Sequence, residues 1–168
     1  PTPAFAALNL FTFAGPWALF WAHAVFNYAN YFLNAWLPTM FVERFAEVDA
    51  ASAGMYLMWP ELAGVVSRFA TAALADRYLL QSGRLSLRAV RRGSSALAFA
   101  AQGLVLVAAV RRQAPLPCAA LLTLASAAAG LHSCGFKANY LDLTSEHGGV
   151  LAGVGNTLAS LASAAGPV

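Results

Sequence analysis

Long stretches without a charged side chain alternate with short segments that collect nearly all of the charge, and this alternation sets out the elements of the chain. No Asp, Glu, Lys or Arg occurs from Pro1 to Val42. Further uncharged runs extend from Gly93 to Val110, from Gln113 to Phe136 and from Gly148 to Val168. Each is near or above the ~18 apolar residues that cross hydrocarbon. A run over about 50–75 is interrupted only by Glu61 and Arg68. The pattern predicts five transmembrane helices, about 17–41, 51–75, 93–110, 115–137 and 148–168, with polar hinges between them. Residues 1–16, with Pro3 and Gly15-Pro16, read as a loop feeding the first span. They lack the basic n-region and cleavage pattern of a signal peptide. With no initiating Met, and with the last run ending at Gly166-Pro167-Val168, the sequence reads as a fragment of something longer.

Composition sharpens the class. Of 168 residues, 60% are hydrophobic and 10% charged, which excludes disorder and speaks against a soluble enzyme. Ten Lys and Arg against seven Asp and Glu leave a net charge of +3, too small and scattered for nucleic-acid binding. Cys118 and Cys134 lie sixteen residues apart in one apolar run. On a helix that is ~24 Å, beyond disulfide reach. Positive charge collects in the second hinge, at Arg77, Arg84, Arg88, Arg91 and Arg92, with Lys137 near the fourth. The positive-inside rule makes that side cytoplasmic, against the opposing signal of Arg44 and the Arg111-Arg112 pair on the other side.

Polar groups inside a bilayer are costly, so their placement is informative. In the first span His23, Asn27, Asn30 and Asn34 recur at spacings of four, three and four, with Tyr31 beside them. They form one stripe on a helix otherwise built of Trp, Phe, Leu and Ala. Interhelical hydrogen bonding is the plain explanation. Four large polar groups over three turns point instead to the wall of an aqueous cavity. Glu61 and Arg68 share a face of the second span, two turns apart. Arg68 is close enough to the cytoplasmic end to snorkel. Glu61 lies deeper and follows Pro60, which is expected to interrupt the helical ladder and turn backbone carbonyls toward a cavity. A carboxyl group there suits proton binding and release in a transport cycle, or else a permanent pair with an arginine.

The last span opens on Gly148-Gly149 and continues with Gly153, Gly155, Asn156, Ser160 and Ser163. Gly149 and Gly153 make a small-xxx-small face for close helix approach, the serines read as packing, and Asn156 reads either way. Ser126, Gly130 and Ser133 in the fourth span also read as packing positions. In the second hinge, Asp76-Arg77, Arg84, Arg88, Arg91 and Arg92 put acid and base at one helix end, an arrangement suited to a gate as well as to topology anchoring. His132, Asp142 and His147 are isolated candidates for intramembrane catalysis, but no HExxH, GxSxG or metal-ligand spacing accompanies them. The chain is read as no enzyme, without cofactor or metal. A non-transporting scaffold or channel subunit stays open as the alternative to a carrier.

The motifs resemble a known family. His23-Ala-Val-Phe-Asn27-Tyr28 followed by Trp36-Leu37-Pro38-Thr39 is similar to the seventh helix of the anion:cation symporter family in the major facilitator superfamily. This is the family of vesicular glutamate transporters, sialin, sodium-phosphate cotransporters and plant plastid phosphate transporters. Gly135-Phe136, Asn139, Leu141-Asp142, Gly149, Leu151, Gly153 and Asn156-Thr157 resemble its tenth and eleventh helices, and Pro60 and Ala75-Asp76 its eighth. The resemblance covers about 16–168.

It implies an all-α membrane protein whose five spans correspond to helices seven to eleven of a twelve-helix fold. The implied partners are a small anion, a coupling sodium ion or proton, the lipid bilayer and an amino-terminal half of the same chain. Both halves supply ligands in such carriers, so a lone half should not transport. The candidate substrate pathway is His23, Asn27, Asn30, Tyr31, Asn34 and Asn156, and the residues themselves, not the resemblance, make Glu61 and Arg68 the coupling candidates. Asp76, Arg77, Arg84, Arg88, Asn139 and Asp142 form the implied gating hinge. The chain departs from the pattern where Phe26 stands in place of the arginine of vesicular glutamate transporters, which disfavours glutamate. Glu61 replaces a His or Trp, and Ser145-Glu146-His147 replace Pro-Arg-Tyr. Lys137 occupies a variable position, where it either supplies the positive charge an anion needs or marks the cytoplasmic edge, the ordinary place for a snorkelling lysine.

Overall fold

The computed structural model describes residues 9–83, 85–144 and 146–165, and among them every regular element is helical. Helix α1 runs Ala14–Arg44, α2 Ala50–Leu74, α3 Leu87–Val110, α4 Pro115–Ala129, α5 Phe136–Leu143 and α6 Gly148–Ala164. A 3-10 turn, Leu10–Thr12, precedes α1, and another, Gly130–Ser133, lies between α4 and α5. The chain divides into two compact units, one of residues 1–35 and 136–168 and the other of 36–135.

The helices follow the apolar runs, but local chemistry sets their ends. The expected loop over 1–16 is already helical from Ala14. Pro16 is accommodated in the first turn, where backbone N–H groups have no intrahelical acceptor anyway. Asp49 caps α2 by accepting from Ser52 N at 2.8 Å, and Ser86 caps α3 by accepting from Ala89 N at 3.2 Å. The Ser86 cap starts α3 six residues before the expected 93 and places Arg88, Arg91 and Arg92 within the helix. Helix α2 passes through Pro60 without ending and continues into a wider π-helical turn, Ala75–Leu80, closed by Gln81 N donating to Asp76 O at 2.9 Å. The fourth run does not end at 137: α5 carries helical structure on to Leu143.

In the unit of residues 36–135, α2 packs on α4 and α3 on α4. Phe41, Phe45, Val48, Ala53, Ala109, Cys118, Ala119 and Leu122 form its main apolar core. The α2–α4 approach is close because Gly130 carries no side chain, so that a Cβ there would stand 2.6 Å from Ser67 Cβ. Hydroxyls seal the seam: Ser67 donates to Ala127 O at 2.5 Å, and Thr71 to Gly130 O at 2.9 Å. In the other unit, Leu19 and Phe20 of α1, Phe136 and Tyr140 of α5 and Leu151 of α6 form the core.

Many large apolar side chains are left uncovered by the chain itself, among them Trp21 at 74%, Phe69 at 76% and Leu104 at 73% exposure. Such faces belong against lipid or another apolar surface. Among the described residues two helical stretches, Leu87–Val110 and the run Pro115–Leu143 that α4 and α5 share, are long and apolar enough to cross a membrane. The His and Asn stripe with its neighbouring Trp and Tyr lowers the mean hydropathy of α1, and α6 is 17 residues long.

Candidate functional site

The α1 stripe is the centre of the candidate site. His23 is buried, and its Nδ1 lies 2.9 Å from the Tyr140 hydroxyl on α5, 117 residues along the chain. Its ring meets Phe136 at 5.6 Å and Tyr140 at 5.8 Å between centroids. Asn27 and Asn30 are half-buried, and Asn30 Nδ2 donates to its own helix at Phe26 O, 2.7 Å away. Tyr31 and Asn34 are exposed, as is Asn156 on α6. The stripe thus runs from a buried, paired end at His23 to an open end at Asn34.

Tyr140 was not among the sequence candidates, although it stands one turn after Phe136 on the same face. Its position depends on Gly155 of α6, where a Cβ would lie 2.8 Å from Tyr140 Cζ. The face of α6 turned inward carries Gly148, Leu151, Gly155, Ala159 and Ser163. Gly149 and Gly153, expected to form the packing face, point outward, and a Cβ at either would meet nothing within 4 Å among the described residues. Spacing identified the small residues of α6 but not which of its faces meets α5. Lys137, also on α5, places its Nζ 4.2 Å from the Phe26 ring centroid.

Glu61 and Arg68 are both exposed, and the Arg68 side chain turns back along α2, where Nε donates to Gly64 O at 2.9 Å. At the hinge, Asp76, Arg77 and Arg88 are exposed, and the Arg77 guanidinium lies 6.0 Å from the Tyr78 ring centroid. Arg84 and Ser145 lie outside the described residues, as do 1–8 of the opening segment and 166–168 of the last span. Asn139 is half-buried and Asp142 exposed on α5. Arg91, a member of the charged cluster of the second hinge, makes a specific contact: its Nη1 donates to Cys134 O at 2.9 Å, a cation at the carbonyl end of a helical segment. His132 is fully buried against Phe99, with ring centroids 4.3 Å apart. Cys118 and Cys134 are free thiols, and no cluster of three or more His, Cys, Asp or Glu suited to a metal occurs among the described residues.

No protein-family model matches the chain. Similar proteins do. Human sialin is 29% identical over 153 residues, which cover 90% of this chain and 30% of sialin. A putative inorganic phosphate cotransporter of Drosophila ananassae is 31% identical over 157 residues, 90% of this chain and 31% of that protein. The probable anion transporter 3 of Arabidopsis thaliana, chloroplastic, is 27% identical over 147 residues, 88% of this chain and 28% of that protein. The chain therefore spans a little under a third of the length of the curated relatives it matches. These relatives are transporters, and the chain is an integral membrane protein related to them. This set of relatives is consistent with the anion:cation symporter family of the major facilitator superfamily, the family that the sequence resembles.

Proposed function

We propose that the chain is part of a secondary active transporter that moves an organic or inorganic anion, phosphate-like or carboxylate, across a membrane by alternating access, driven by a sodium or proton gradient. The observation that carries this reading is that matches over about nine-tenths of the chain bear the names of anion transporters and of a phosphate cotransporter. The uncovered apolar helix faces and the polar stripe on α1 support it physically. In this reading the five segments are helices seven to eleven of twelve. His23, Asn27, Asn30, Tyr31, Asn34 and Asn156 line the substrate path, while Asp76, Arg77, Arg84, Arg88, Asn139 and Asp142 act at the cytoplasmic gate.

Coupling requires a site whose occupancy by a cation differs between the outward and inward states, since a ligand bound equally in both shifts nothing. Glu61 fits that role because it is the one acid within the five apolar runs and is not committed to Arg68, whose Nε is turned to Gly64 O. The test is uptake of labelled phosphate and carboxylates by the natural full-length protein in liposomes with an imposed gradient. Saturable, gradient-driven uptake is expected, and Glu61→Gln is expected to abolish accumulation while keeping anion exchange. Absence of saturable uptake across the panel would refute transport. Survival of accumulation in Glu61→Gln would refute the coupling role alone.

A further inference from the structure

Lys137 is the only lysine in the chain and the only Lys or Arg within residues 1–35 and 136–168. A lysine that marks a membrane edge extends past the end of its helix toward water. Lys137 does otherwise. Helix α5 continues to Leu143, six residues beyond it, about 9 Å at 1.5 Å per residue. Its half-buried side chain lies on the face of Phe26, with Nζ 4.2 Å from the centroid. That ring belongs to the stripe helix: Asn27 follows it, Asn30 Nδ2 holds its carbonyl, and Phe136 meets it edge-on at 5.6 Å. His23, beside the same Phe136 ring, completes a group in which a cation and an imidazole flank two aromatic rings at the inner end of the stripe.

We propose that Lys137 is the group that receives the negative charge of the transported anion, and that Phe26 is the platform on which the ammonium rests until the anion arrives. This rests on the transport reading above. A ring quadrupole attracts the ammonium, and an oxyanion in the same partly desolvated place offers it a full opposite charge, which is a stronger attraction than that of the ring. Lysine is a compact point charge and does not impose the planar, two-pronged geometry of arginine. Carboxylate and phosphate therefore share the chemistry that the site recognises, an oxyanion.

Two measurements on the natural full-length protein in liposomes test this. The first is the half-saturating concentration for uptake of a carboxylate series and of inorganic phosphate by wild type, Lys137→Gln and Lys137→Arg. The second, on wild type alone, is the rate at which a polar activated ester acylates Lys137, read on its peptide by mass spectrometry with and without each anion. We expect Lys137→Gln to raise half-saturation about tenfold or more, Lys137→Arg to stay within about threefold, and the transported anion to protect Lys137 saturably. Which anions protect tells carboxylate from phosphate. Uptake by wild type with neither protection nor an effect of Lys137→Gln overturns the Lys137 site and leaves transport standing. Loss of uptake in Lys137→Gln without protection of the wild-type lysine marks a packing role and also overturns it. Protection without uptake supports the site and refutes transport, while the absence of both refutes both. If Lys137→Gln does not fold, the arginine variant and the protection measurement decide.

Discussion

Replacing Gly155 by alanine probes the contact that positions Tyr140, and the structure supplies its own control. Two opposing effects follow from the substitution. Alanine in a helix interior is favoured over glycine by about 1 kcal/mol. At Gly153 nothing within 4 Å opposes that gain among the described residues. At Gly155 the new methyl would stand 2.8 Å from Tyr140 Cζ and 3.0 Å from Cε1, with the hydroxyl closer still. Overpacking of this kind costs about 1–3 kcal/mol. Gly155→Ala should therefore be about 1–3 kcal/mol less stable than Gly153→Ala, the shared propensity term cancelling between them. Tyr140→Phe removes the nearest opposing atom but leaves His23 without its hydroxyl partner, at a cost of about 1–3 kcal/mol for a buried polar group. Because the two changes act on one contact, the double variant should be less destabilised than the sum of the singles by about 1 kcal/mol. Unfolding of the protein in mixed detergent micelles, followed by circular dichroism across the four variants, measures both differences. Equal stability of Gly155→Ala and Gly153→Ala, or strict additivity in the double variant, would refute the account of how the site is held.

Three further predictions follow from other parts of the chain. Single cysteines replacing Asn27, Asn30 and Asn34 should react with a hydrophilic thiol reagent in liposomes, whereas those replacing Trp21, Val25 and Phe32 should not; uniform labelling along α1 would reject an aqueous stripe. Gly130→Ala should cost toward the upper end of about 1–3 kcal/mol, since its methyl would meet Ser67 Cβ at 2.6 Å and the Ser67 carbonyl carbon at 2.9 Å, and Ser67→Gly should recover part of the loss. Hydrogen bonds from the Ser52 side chain and amide hold the Asp49 carboxyl below its ordinary value of 3.8. The cap's contribution is thus complete above the unfolded value and is lost as pH falls through the lowered folded one; a carbon-detected titration that places Asp49 at or above 3.8 would contradict the cap.

The helices were legible because bilayer-length apolar runs bounded by charge leave few alternatives, and the stripe was legible because a 3.6-residue period shows within a single segment. Helix ends were less so. Hydropathy stops at Lys137 while helical structure continues through Asn139 and Asp142 to Leu143, because backbone hydrogen bonding does not require apolar side chains. That difference moves Lys137 from an edge to the inner face of Phe26. The pairing of His23 with Tyr140 across 117 residues leaves no mark on local spacing. Nor does spacing say which side of α6 meets α5, so Gly155 and not Gly153 takes the close contact. The likeness to the anion:cation symporters was legible where motif residues cluster, at His23–Tyr28 and Gly135–Thr157.

The π-helical turn at Ala75–Leu80 has a consequence for motion. It holds one residue more than the α-helical turns before it, so the chain carries a spare step of register at the end of α2. Moving that spare residue along the helix turns everything it passes by about 100° and advances it about 1.5 Å while changing only a few hydrogen bonds. Asp76 and Arg77 lie inside the step, so the two charges would be re-aimed by a local shift of backbone partners, with the seam between Thr71 and Gly130 left in place.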